Sequence, residues 1–127
     1  MFNQTWKWAG MYRKSEKNIG VLVHEIRDRL GALIGNGRYW IDNETYGTDE
    51  IAVRIHHDLT LIHPFPNGNG RHARLLADVL IVNLGCTRFS WGRRDIVAVG
   101  SARKTYLDAL RSADGGNLRL LLEFARS

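Results

Sequence analysis

His63-Pro-Phe-Pro-Asn-Gly-Asn-Gly-Arg-His-Ala-Arg74 separates two stretches of helical periodicity, and its reading decides the fold. Upstream, Thr48 or Asp49 can cap a helix whose inward positions are Ile51, Ala52, Ile55, Leu59 and Ile62. That helix must stop at His63, because Pro64 cannot continue it and disfavours helical geometry in the residue before it. Downstream, a second helix begins near Gly70 and runs to Leu84 through Leu75, Leu76, Val79, Leu80 and Val82, with Gly85 ending it.

Outward from this pair, Ser101 to Ala113 and Leu118 to Phe124 have helical spacing, divided by Asp114-Gly115-Gly116. On the other side, Val23, Ile26, Leu30, Leu33 and Ile34 define a helix that Gly35-Asn36-Gly37 is expected to end. Phe2 to Ala9 suits a short opening helix, with Phe2, Trp6 and Ala9 on one face. Met11 to Val23 reads as two short strands and a turn. No strand-helix-strand alternation occurs. The expected class is all-α with a small β-hairpin, in one domain over residues 1–127.

Composition limits function only coarsely. The chain has 127 residues, 44% apolar and 24% charged, the balance of an ordinary soluble domain. A single cysteine, Cys86, cannot form an internal disulfide, and the N-terminus lacks a signal-like apolar stretch. No apolar run reaches the roughly 18 residues of a membrane span. The expectation is a cytoplasmic protein with no membrane partner. Lys and Arg number 18 against 13 Asp and Glu, for a formal charge of +5. Arg71 and Arg74, then Arg88, Arg93, Arg94 and Arg103, hold a third of the basic residues. An anionic ligand is favoured without being chosen.

The quoted segment narrows that choice. Gly68 and Gly70 free the backbone to aim several N–H groups one way at a helix start, where unpaired amides and the helix dipole attract negative charge. Arg71 and Arg74, three apart, share a face, and their forked guanidinium groups suit phosphate oxygens. His63, at the mouth of the loop, is a side chain able to take a proton near neutral pH. Pro64 and Pro66 stiffen the loop, and Phe65 is expected to plug it into the core. A base beside a phosphate cradle points to transfer of a phosphorus group.

Competing motifs fail on spacing. His56 and His63 lie seven residues apart, roughly 10 Å of helical rise, too far for two ligands of one zinc. His24-Glu25 has Asp28 where a zinc-protease helix needs histidine. No Gly-x-x-x-x-Gly-Lys-[Ser/Thr] is present. Leu75 to Val82 is too apolar for a DNA-reading helix, so a nucleic-acid partner is not expected.

The segment resembles the signature of the Fic family, His-Pro-Phe-x-[Asp/Glu]-Gly-Asn-Gly-Arg-x-x-Arg, and fits eleven of its twelve positions, three of them free. Phe2 to Tyr12, the His56-His57 approach to His63, and Phe89-Ser90-Trp91-Gly92 resemble the bacterial subgroup termed mobile mystery protein B. The resemblance implies a Fic-type helical bundle that moves AMP from ATP onto a Tyr, Thr or Ser hydroxyl of a target protein. His63 would be the general base. Gly68 and Gly70 would hold ATP phosphates through backbone N–H groups, and Asn69 through its side chain. Arg71 and Arg74 would bind the β- and γ-phosphates, Arg71 also assisting catalysis, and Tyr106 and Asp114 would fall near the adenine. The hairpin, about residues 11–23, would be the flap that pins the target segment as an added strand.

The family's acidic metal residue is Asn67 here, which implies Mg²⁺ bound through a neutral amide oxygen. Many relatives also carry an inhibitory [Ser/Thr]-x-x-x-Glu-[Gly/Asn] helix. None of Glu16, Glu25, Glu44, Glu50 and Glu123 has Ser or Thr four residues earlier. The expectation is a chain without that segment, or a toxin–antitoxin arrangement in which a separate antitoxin brings the glutamate to Arg74. Homo-oligomerisation stays open. So do two alternatives: another Fic-scaffold chemistry (phosphorylation, other nucleotidyl transfer, AMP removal) and a catalytically weak interaction module.

Overall fold

The computed structural model describes residues 12–14, 20–93 and 99–127. A 3-10 turn at Val23–Glu25 leads into α1 (Ile26–Asp42), followed by α2 (Thr48–Ile62), α3 (Asn69–Asn83), α4 (Val99–Asp114) and α5 (Arg119–Ala125). The fold is all-α, with no strand among the described residues. The hairpin expected over 11–23 therefore has no strand at 12–14 or 20–23, and residues 11 and 15–19 lie outside the described set, as does the opening helix expected over 2–9.

α2 is the spine, packing against α1, α3 and α5. One side, Ile51, Ile55, Leu59 and Ile62, joins Ile26 and Leu33 of α1 and Ala73 of α3 in one core. The other, Ala52 and Val53, joins Ala77 and Ile81 of α3, Ala109 and Ala113 of α4, Leu121, Phe124 and Ala125 of α5, and the buried rings of Phe89 and Trp91. Every inward position expected for α2 is buried. Its cap differs: Gly47 occupies the N-cap and no side chain caps the helix.

α1 runs straight through Gly35-Asn36-Gly37 to Asp42, against the expected stop. Each interior glycine costs about 1 kcal/mol relative to alanine. Gly37 offsets this by letting α2 approach, since a Cβ there would lie 3.1 Å from Ile55 Cδ1. Trp40, Ile41 and Tyr46 then extend the apolar contact beyond the glycines, Trp40 and Tyr46 ring to ring at 5.6 Å. Ile34, expected inside, is exposed.

α3 meets α2 through small residues. Ala73, Ala77 and Ile81 face inward, whereas Leu75, Leu76, Val79 and Val82 are exposed. The two alanines allow the backbones to close on one another, and four larger apolar side chains stay outside. The C-terminal end is tied to the start of α2 by a two-pronged ion pair, Arg126 Nη2 to Asp49 Oδ1 at 2.6 Å and Nε to Oδ2 at 2.8 Å, with the guanidinium carbon 4.4 Å from the Phe89 ring centroid.

Candidate functional site

The corner between α2 and α3 is built from the bottom by what Pro64 forbids. His63 closes the last turn of α2 through its N–H to the Leu59 carbonyl at 3.0 Å, then turns left-handed at φ +52° and ψ +59°. Histidine is uncommon in that region, so the surroundings must hold it there. Arg13 does much of this. Its buried guanidinium donates to the carbonyls of His63 and Val21, and at 3.3 Å to that of Ile62. A cation on the carbonyls that end a helix also meets the negative end of the helix dipole. The backbone adds two bonds, Arg13 N–H to Pro64 O at 2.8 Å and Val21 N–H to Ile62 O at 3.4 Å. Gly20, at φ +102°, makes the approach possible: a Cβ there would stand 2.6 Å from His63 Cβ.

Across the loop, Asn69 ties the corner together. Its side chain is buried and latches the loop backbone, accepting from Phe65 N–H and donating to Phe65 O, each at 2.8 Å. The Phe65 ring is half-buried, 4.4 Å from His72 and 6.2 Å from Tyr12 centroid to centroid.

Gly68 adopts φ +71° as the N-cap of α3, which receives no side-chain cap, and the amide of His72 makes the first bond back, to Gly68 O at 3.0 Å. The amides of Asn69, Gly70 and Arg71 precede it, the orphan donors of a first helical turn. They open on a cavity of about 860 Å³. Gly68, Asn69, Gly70, Arg71 and Arg74 form one wall; Arg88, Arg93, Arg103 and Tyr106 also line it. Arg88, Arg93 and Arg103, distant in sequence from Arg71 and Arg74, thus converge with them on one space, and Arg94 lies outside the described residues. Asp78 and Trp91 line it as well, the carboxylate accepting from Trp91 Nε1 at 3.0 Å and Arg88 Nη2 at 3.4 Å.

Of the other expected site residues, half-buried His63 and exposed Asn67 are not part of the cavity lining. Asp114, expected near an adenine, is away from it as well, accepting from His57 Nε2 at 2.8 Å.

Below the cavity lies His56, fully buried, its Nε2 2.9 Å from Tyr106 Oη and its ring 4.7 Å from that of Trp91. Burial lowers its pKa to about 4, the positive charges of Arg74 and His57 add to the effect, and the Ala73 backbone opposes it. Its folded-state pKa lies below the ordinary 6.5, so between pH 6.5 and 4 the unfolded chain binds more protons. Stability from this group is complete above pH 6.5 and is lost as pH falls toward 4, amounting to roughly 3 kcal/mol at most. Denaturant midpoints measured from pH 7.5 to 4 should fall more steeply for the wild type than for His56→Leu; parallel curves would contradict this.

Sequence reading had no signal for Arg13, which lies in a polar run far from the motif, nor for the bonds that Asn69 makes to Phe65. An adjacent pair, His56-His57, inside an apolar helical face was the legible hint of a buried polar network.

Fold and site together define an all-α domain organised around a glycine-led, arginine-lined helix start. The chain belongs to the Fic/DOC family, whose sequence model matches residues 1–81. It is 27% identical over 119 residues to the protein adenylyltransferase Fic of Aedes aegypti, covering 91% of this chain and 22% of that protein. It is 28% identical over 119 residues to the protein of the same name from Nematostella vectensis, covering 91% and 26%. The structure resembles that of Fic-1 (residues 134–508) from C. elegans, with a TM-score of 0.73 and 25% identity, covering 94% of this chain and 34% of the other. The chain thus spans about a quarter of the length of the curated relatives it matches. No helix among the described residues is long and apolar enough to cross a membrane.

Proposed function

We propose that this protein is a nucleotidyl transferase that moves AMP from ATP to a Tyr, Thr or Ser hydroxyl of a target protein in the cytoplasm. The observation that carries the reading is the uncapped start of α3 opening, with Arg71 and Arg74, on a cavity lined by arginines. The adenylyltransferase names of the relatives support it. In this reading the amides of residues 68–71 and the two arginines grip the triphosphate. His63 takes the proton of the target hydroxyl as its oxygen forms a bond to the α-phosphorus. The bond from that phosphorus to the α–β bridging oxygen breaks, and pyrophosphate leaves with its charge held by Arg71 and Arg74.

The backbone at Arg13 and Val21, bonded to Pro64 and Ile62, would place a target segment beside His63, as a flap would. A glutamate from an antitoxin, placed on Arg74, would compete with the γ-phosphate. Mg²⁺ fits as an ion carried mainly by phosphates and water: no group of three His, Cys, Asp or Glu side chains suited to a metal occurs among the described residues, and Asn67 offers one exposed amide oxygen. Such an ion supplies charge neutralisation at the α- and β-phosphates. Asn67→Asp should therefore reach half-maximal activity at about tenfold lower Mg²⁺. Coincident Mg²⁺ titrations of the two proteins would argue against a metal role for this position.

Incubation with cell lysate and ATP labelled at the α- or γ-phosphorus tests the reaction. Protein labelling from α alone supports AMP transfer. Labelling from γ would indicate a kinase, and none from either an interaction module.

A further inference from the structure

His56 lies outside the cavity, yet a continuous chain of contacts links it to the phosphate-gripping end of the site. Its Nε2 is 2.9 Å from Tyr106 Oη. The Arg74 guanidinium lies over the same residue, its carbon 5.2 Å from the Tyr106 ring centroid. A Cβ at Gly70 would lie 3.3 Å from Arg74 Nη1 and 3.9 Å from Tyr106 Oη, so the chain of contacts ends beside the amides that start α3.

The bond between Tyr106 Oη and His56 Nε2 forms in either neutral tautomer of the imidazole, the hydroxyl donating to the ring nitrogen or accepting from it. Burial keeps His56 neutral at ordinary pH. The ring is held in place, with the Trp91 ring 4.7 Å from it on one side and Tyr106 5.8 Å away on another.

We propose that His56 is a positioning residue: through its hydrogen bond to Tyr106 it holds the Arg74 guanidinium where the terminal phosphates of the nucleotide arrive. This role rests on the AMP-transfer reading, in which Arg74 meets the β- and γ-phosphates. It separates the ligands sharply. ATP, which reaches Arg74, depends on the relay, and AMP, which ends short of it, does not. A histidine that merely filled space would affect both alike.

The test is calorimetric titration of the intact protein with ATP and with AMP, in the wild type, His56→Leu, Tyr106→Phe, Arg74→Ala and the double variant His56→Leu/Arg74→Ala. Tyr106→Phe removes one oxygen and keeps the ring, which guards against a folding defect in His56→Leu. Both relay variants should bind ATP about tenfold more weakly, and His56→Leu, whose residue lies outside the cavity, should leave AMP affinity unchanged. In the double variant, loss of His56 should add nothing to the loss of Arg74, as expected of residues acting in series. Equal weakening toward ATP and AMP, unchanged ATP affinity in Tyr106→Phe, or additive losses in the double variant would each overturn the relay. A wild type that binds no ATP would overturn the nucleotide reading itself and the relay with it.

Discussion

Alanine in place of His63 is expected to lower AMP transfer by about 10²- to 10⁴-fold, the usual contribution of a general base, while ATP binds as before. The separation follows from the geometry. His63 ends α2, whereas the amides and arginines that would grip the triphosphate belong to α3 and face a cavity that His63 does not line. Removing the imidazole leaves Arg13 still bound to the residue-63 carbonyl, so the corner should keep its shape. Turnover with saturating ATP and target, read beside ATP affinity, checks this. A His63→Ala protein that transfers AMP within tenfold of the wild type would remove the base from the mechanism.

Asn69→Ala is expected to do more damage to the fold than any replacement of a charged site residue. The side-chain amide satisfies both the N–H and the carbonyl of Phe65 from a buried position. Alanine would leave these two backbone groups without their partner, at about 1–3 kcal/mol for each that water cannot reach. A total of roughly 3 kcal/mol corresponds to a fall of about 12 °C in Tm for a domain of this size. Transfer activity should fall with it even well below Tm, because the loop joining His63 to Gly68 loses its latch. Thermal melts and activity at 15 °C check the two halves. A variant with wild-type Tm would show that the latch contributes little.

Much of this architecture was legible because its causes are local. Pro64 dictates the end of α2, and Gly68 and Gly70 mark the start of α3, so the helix–corner–helix unit needs no knowledge of the rest of the chain. The inward face of α2 follows from spacing alone. What spacing could not show was which neighbour a helix meets. α1 continues through Gly35-Asn36-Gly37, and at Gly37 α2 lies close enough to reward a missing Cβ, a fact of tertiary packing. Leu75, Leu76, Val79 and Val82 of α3 are exposed for the same reason, Ala73, Ala77 and Ile81 being the residues that fit inside.

The site shows the same division. Arg71, Gly70 and Arg74 converge as their positions on one helical turn require, whereas Arg88, Arg93 and Arg103 join them only through the fold. Arg13, fifty residues from His63, and His56, fifty from Tyr106, act across distances at which sequence carries no pairing signal.

The most direct test of the central claim, that the first turn of α3 with its arginines receives a polyphosphate, is an amide NMR titration of the ¹⁵N-labelled protein with ATP. The expected result is a saturable set of shifts centred on the amides of Gly68 to Arg71, with the Arg71 and Arg74 side-chain N–H signals moving in step. Shifts scattered over the basic surface without saturation, or none at residues 68–71, would contradict it.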